Sequence, residues 1–187
     1  TNTATSTPTA TNTPTRTPTI TLTPLPTNTF TRTPTPIIGV QTITLQVNSG
    51  ADDVNDTTSL IPSDTSVWVG NAGTANPAIA GFRFNSLNIP KGSIINSAHL
   101  EFYSTQSQWI GLSIQIAAEA ADNSAAFTTT SRPSQRTVAT TVVTHSSNAS
   151  WATNTWYSFD EMATVIQQVV SRTGWQSGNS LSVILRG

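Results

Sequence analysis

The chain has 187 residues and no cysteine, so a disulfide framework is excluded. Charged residues make up only 9% of it, eight basic and nine acidic, against roughly 25% in an ordinary soluble domain. No basic cluster offers a footprint for nucleic acid, and no run of 18 apolar residues offers a membrane span.

Residues 1–36 stand apart from the rest. They hold 17 Thr and 7 of the 11 Pro, and Thr fills every odd position from Thr1 to Thr35 except Leu25. Proline fixes its own φ and pushes its predecessor out of the helical region, so extended or polyproline II backbone is predicted here, at about 3.1 Å per residue. Two regions follow: a stalk over 1–36 and one globular domain over 37–187. Thr with Pro is the composition of O-glycosylated stalks. The candidate acceptors are Thr3, Thr5, Thr7, Thr9, Thr11, Thr13, Thr15, Thr17, Thr19, Thr21, Thr23, Thr27, Thr29, Thr31, Thr33 and Thr35. The alternative is a bare flexible linker. Ile20, Leu22, Leu25 and Phe30 interrupt the polar tract, and three of them share the parity opposite to Thr, as a strand with one docking face requires.

From Ile37 onward, short β-rich runs alternate with turn clusters. Ile43, Leu45 and Val47 alternate with Thr42, Thr44 and Gln46, which predicts a strand. Residues 37–47 read as an edge strand or one donated to a neighbouring copy, with Ile37, Ile38, Ile43 and Leu45 as contacts. Further strands are predicted near 65–69, 79–85, 94–104, 109–119, 137–144, 154–158 and 180–186. Ala98, Leu100 and Phe102 alternate with His99, Glu101 and Tyr103, and Leu112, Ile114 and Ile116 with Ser113, Gln115 and Ala117, as in sheets with one buried face. One helix is predicted. Ser158 and Glu161 fit a capping box, Met162, Val165, Ile166, Val169 and Val170 follow helical spacing, and Arg172 and Gly174 supply a stop. It reads as a cover for one end of the body, or otherwise as an interaction helix. The predicted fold is all-β: a jelly-roll-like antiparallel sandwich with one short helix, preceded by the extended Thr/Pro-rich segment.

Gly81, Phe82, Arg83 and Phe84, followed by the stretch Ile89-Pro90-Lys91-Gly92-Ser93-Ile94-Ile95-Asn96-Ser97-Ala98-His99-Leu100-Glu101-Phe102, resemble the DNRLRE-type repeats of bacterial surface proteins. Ala118 to Asn123 and Gly174 to Asn179 are similar to stretches of such domains. The resemblance covers roughly residues 50–187. It implies a β-sandwich related to some carbohydrate-binding modules, and it is more specific for fold than for function.

Reactive groups are scarce. The only histidines are His99 and His145, and G-x-S-x-G, H-E-x-x-H and a Gly-rich phosphate loop are all missing. A non-enzymatic protein is expected. His99 and Glu101 read as a solvated pair on one strand face, and His145 lies near a loop. Asp52, Asp53 and Asp56, with Asn55, form a candidate calcium shell in the loop 51–57, to be completed by Glu119 or Asp122. Structural calcium in the modules this chain resembles points the same way; a solvated turn is the alternative. Trp68 and Trp156 read as core, Trp175 as packing on the helix end, and Trp109 and Trp151 as candidates to stack on glycans. Asn55 and Asn148 each begin an N-x-S/T acceptor. Two functions lead the expectations from these features, ahead of a third, an accessory part of a larger surface enzyme. The first is a subunit of an extracellular or cell-surface filament or coat that polymerises with copies of itself through its N-terminal segment and carries glycans. The second is a carbohydrate-binding or adhesive module on a stalk.

Overall fold

The computed structural model describes residues 39–47, 49–57, 59–62, 66–70 and 79–187. The chain divides into two units, Thr1–Val40 and Gln41–Gly187. The elements of the described residues lie in the second. Eight strands occur among the described residues: β1 (Asp53–Asp56), β2 (Leu60–Pro62), β3 (Ile79–Phe84), β4 (Glu101–Ser104), β5 (Gln108–Glu119), β6 (Val138–Trp151), β7 (Thr155–Ser158) and β8 (Leu181–Arg186). One helix, α1 (Ala163–Val170), precedes β8.

Six strands form an antiparallel sheet in the order β2-β1-β3-β8-β5-β6, and β4 pairs with β7 in a second sheet. The chain crosses between sheets at β3–β4, β4–β5, β6–β7 and β7–β8, which is the alternation of a jelly-roll-like sandwich. Period-2 patterning supplies the facing surfaces. Phe102 of β4 meets Phe82 of β3 edge-on, with centroids 5.3 Å apart. Trp151 of β6 stacks on Tyr157 of β7 at 4.2 Å, nearly parallel. Ile114, Ile116, Val183 and Leu185 line the core beside Phe82. The predicted antiparallel sandwich with one short helix is the observed fold.

Helix α1 lies on β5 and β6 and buries Val165, Ile166, Val169 and Val170. Trp175 is fully buried beyond its C-terminus and donates its indole N–H to the Ile89 carbonyl at 3.0 Å. Burial of one such side chain contributes about 1.5–3 kcal/mol. Gly81 is required by close packing: a Cβ there would sit 2.6 Å from Phe127 and 2.7 Å from Pro133.

Several predicted elements are corrected. Asp53–Asp56, expected in a loop, is strand β1, because it pairs with both β2 and β3. Residues 66–69 and 40–47 form no strand among the described residues. Of 94–104, only Glu101–Ser104 is a strand. The backbone before it is captured by side chains instead: Ile95 N–H donates to Gln167 at 2.8 Å and Ala98 N–H to Glu161 at 2.7 Å. The capping box does not form. Ser158 belongs to β7, and Met162 occupies the N-cap. Strand β6 runs to Trp151, well past the predicted end at 144.

Candidate functional site

Three of the four candidate calcium ligands, Asp52, Asp56 and Asp122, are placed against arginines. Asp52, buried, accepts from Arg83 Nη1 and Asn85 Nδ2, both at 2.7 Å. Asp56, also buried, accepts from Arg132 Nε at 2.7 Å and from the Ser134 N–H at 2.8 Å. Asp122 accepts from Arg172 Nε at 2.6 Å. Glu119 takes Arg136 Nη1 at 2.7 Å and the Ser124 hydroxyl. Asp53 begins β1. Among the described residues, no three His, Cys, Asp or Glu side chains converge. A divalent cation at residues 52–56 would have to displace Arg83 or Arg132, and each guanidinium is itself further bonded: Arg83 Nε donates to the Ser124 carbonyl at 2.8 Å, and Arg132 Nη2 to the Thr57 carbonyl at 2.9 Å.

Both histidines flank Phe159. His145 is buried in β6, stacks on Phe159 at 4.0 Å, and lies 3.1 Å from the Asp160 carboxylate. It is therefore an interior strand residue with a partner, correcting its reading as a loop residue. His99 contacts the Phe159 carbonyl at 3.0 Å and Glu161 at 3.1 Å, so its carboxylate partner is Glu161 and not Glu101. Hydrogen bonds from the Ser97 hydroxyl and the Ala98 N–H hold the Glu161 carboxyl down at about 2. No hydroxyl hydrogen-bonds to either histidine among the described residues. Among the surface depressions of the described residues, one is lined by Ile95, Ala163, Thr164, Gln167 and Gln168, and another by Leu45, Gln46, Val47, Asp52, Arg83 and Asn85. Neither brings a base to a nucleophile.

Exposed aromatic rings are the more distinctive surface groups. Trp109 and Trp156 are 66% and 56% exposed, and Trp68 and Tyr103 are also open to solvent. Trp68 and Trp156 were expected in the core; strand parity corrects the latter. Tyr157 pairs with the inward Phe102, which leaves Trp156 facing outward opposite Tyr103. Trp151 is half-buried against Tyr157, and Trp175 packs beyond the helix end as expected. The Tyr103 and Trp156 rings lie 5.3 Å apart at 58°, and the Tyr103 hydroxyl donates to Asn154 at 3.1 Å. Asn154 sits in the β6–β7 turn at a φ of 58°, a conformation asparagine tolerates. Trp109, on the outer side of β5, donates its indole N–H to Asn148 at 2.9 Å, beside Gly111. Of the two sequons, Asn55 is buried and bonded to the backbone of Ser66 and Trp68, whereas Asn148 is exposed.

Residues 41–47 are the other unusual surface. They make no backbone hydrogen bond and no strand pairing among the described residues. Ile43 and Leu45 are 43% and 40% exposed, while Val47 packs partly on the core. The remaining assembly candidates, Ile20, Leu22, Leu25, Phe30, Ile37 and Ile38, lie outside the described residues, as do all the threonine acceptors from Thr3 to Thr35. No helix among the described residues is long and apolar enough to cross a membrane.

Comparison with protein-family models, curated proteins and solved structures finds no match for this chain.

Proposed function

We propose that this chain is a non-enzymatic structural subunit of an extracellular, glycosylated filament or surface layer, assembled through its N-terminal segment. The observation that carries this is the unpaired stretch 41–47. It has the alternation of a strand, yet its backbone finds no ladder partner among the described residues and its apolar face stands half in water. Backbone N–H and C=O groups favour pairing, and an extended segment meets that need by adding to the edge of another sheet. The acceptor edges are present. β4 uses the side facing β7, where Leu100 and Ser104 carbonyls accept from Phe159 and Asn154, and its opposite side pairs with no strand among the described residues. Covering the exposed halves of Ile43 and Leu45 contributes about 1 kcal/mol each, and each ladder bond roughly another. Head-to-tail addition of this kind yields fibres when the rotation between copies does not close a ring. The Thr/Pro composition of residues 1–36 supports the glycosylated part of the reading.

The test is Leu45→Lys and Ile43→Lys in the full chain, followed by sedimentation and electron microscopy. Loss of polymer with an unchanged melting temperature is expected, because both side chains are already largely exposed. Polymer formation equal to wild type in both variants, or by a chain lacking residues 1–47, would rule the reading out.

A second reading, a glycan-binding module, draws on one specific observation: Trp109 presents its ring beside Gly111 with its N–H fixed by Asn148. A rigid aromatic face with adjacent amide groups suits a hexose. On a glycan array, wild type is expected to retain a sugar that Trp109→Ala releases. Silence of the wild type on every glycan removes this reading.

A further inference from the structure

The outer face of the β4–β7 pair carries groups that its own fold leaves unused. Tyr103 and Trp156 stand side by side on adjacent strands, exposed, with the Tyr103 hydroxyl anchored to Asn154. Such rings give contact area at low conformational cost, which is why they concentrate at interfaces. Glu101 lies two residues before Tyr103 on the same strand face, exposed, and its carboxylate has no partner among the described residues. This contrasts with Asp52, Asp56, Glu119 and Asp122, each held by an arginine.

The chain contains a segment with the complementary chemistry. Proline-rich segments in the polyproline II conformation dock on exposed aromatic rings. Residues 1–36 contain 7 Pro, and their only charges are Arg16 and Arg32. Arg16 is two residues from both Pro14 and Pro18, and Arg32 is two residues from Pro34. Two residues of polyproline II advance about 6 Å. Glu101 and Tyr103 are separated by about 7 Å along an extended strand. An arginine two residues from a seated proline is displaced about 6 Å along the tract and about a third of a turn around it, an offset that its long, flexible side chain can span to reach Glu101.

We propose that Tyr103, Trp156 and Glu101 form a docking site for the Thr/Pro tract of a second copy, with Pro14, Pro18 or Pro34 on the rings and Arg16 or Arg32 paired with Glu101. This rests on the assembly reading above and adds a second acceptor surface to the free side of β4. A hexose would use the rings, but it would leave the spacing to Glu101 without a purpose.

The experiment is sedimentation velocity of the full chain over a concentration series, with thermal unfolding as a control for folding. Trp156→Ala and Glu101→Lys are each expected to weaken self-association about tenfold. Combining Glu101→Lys with Arg16→Glu and Arg32→Glu is expected to restore it, an outcome that a merely structural role for Glu101 does not produce. Failure of that charge reversal to restore association overturns the pairing. Association unchanged in both Trp156→Ala and Glu101→Lys, but lost in Leu45→Lys, overturns the docking site and leaves the assembly reading standing. A wild type that stays monomeric at every concentration overturns both. Binding of a hexose oligomer that Trp156→Ala abolishes, with self-association unchanged, overturns the docking site in favour of a sugar ligand.

Discussion

Arg136 shows how much a single charge can organise when charge is rare. Its guanidinium is buried, donates to Glu119, to the Ser124 hydroxyl at 3.1 Å and to the carbonyls of Ala125 and Ala126 at 2.8 Å, and lies 4.3 Å over the Phe127 ring. Its planar fork reaches several acceptors at once, which a lysine cannot match. Arg136→Met leaves Glu119 with only the Ser124 hydroxyl and strips the Ala125 and Ala126 carbonyls of their guanidinium donor, and a loss of about 3–5 kcal/mol in urea unfolding is expected. Arg136→Lys should fall between that variant and wild type. At this scale the sequence was only partly legible. Trp175 was placed correctly because the helix stop beside it is local. The arginine partners of the aspartates were not legible, because they are remote: Arg83 is 31 residues from Asp52, and Arg132 is 76 from Asp56.

Among elements, α1 departs most instructively from its signature. Ser158 and Glu161 had the spacing of a capping box, but β7 takes Ser158 and Glu161 alone works at the helix start. Its carboxylate accepts from the Ala163 N–H at 2.7 Å and also from Ala98 and Ser97, thereby tying α1 to the strand leading into β4. These bonds favour the ionised form, so its pKa falls from 4.5 to about 2. A depressed carboxyl adds stability that is complete above its unfolded pKa and fades as pH drops through its folded one. The melting-temperature gap between wild type and Glu161→Gln is therefore expected to be full at neutral pH and to shrink between pH 4.5 and about 2. A gap that stays constant across that interval would show that Glu161 acts through shape and not charge. β4 is shorter than its alternation predicts: the pattern continues through Ile94 to Phe102, but Gln167 and Glu161 claim backbone donors that a ladder would need. The parity of Trp156 was invisible without the register to Tyr103, since a four-residue strand offers too few alternations to fix its face.

At the scale of the whole molecule, the all-β class was readable because period 2 recurs in nearly every run and the one helical pattern is short. The strand order was not, because β8, last in sequence, enters between β3 and β5. Its side chains Leu181, Val183, Ile184 and Leu185 are almost entirely buried, so the C-terminal strand is the centre of the large sheet. A core of this kind stands in for the cross-links that a cysteine-free protein lacks.

That placement decides how the body would carry a pulling force. β1 and β8 are both antiparallel to β3, so they run in the same direction, and the start of β1 and the end of β8 lie at opposite ends of the sheet. Tension drawn between Asp53 and Arg186 is then resolved along the strands, straining four β1–β3 pairs and six β3–β8 pairs together instead of peeling them one by one. A tether loaded in this shearing geometry yields abruptly and late.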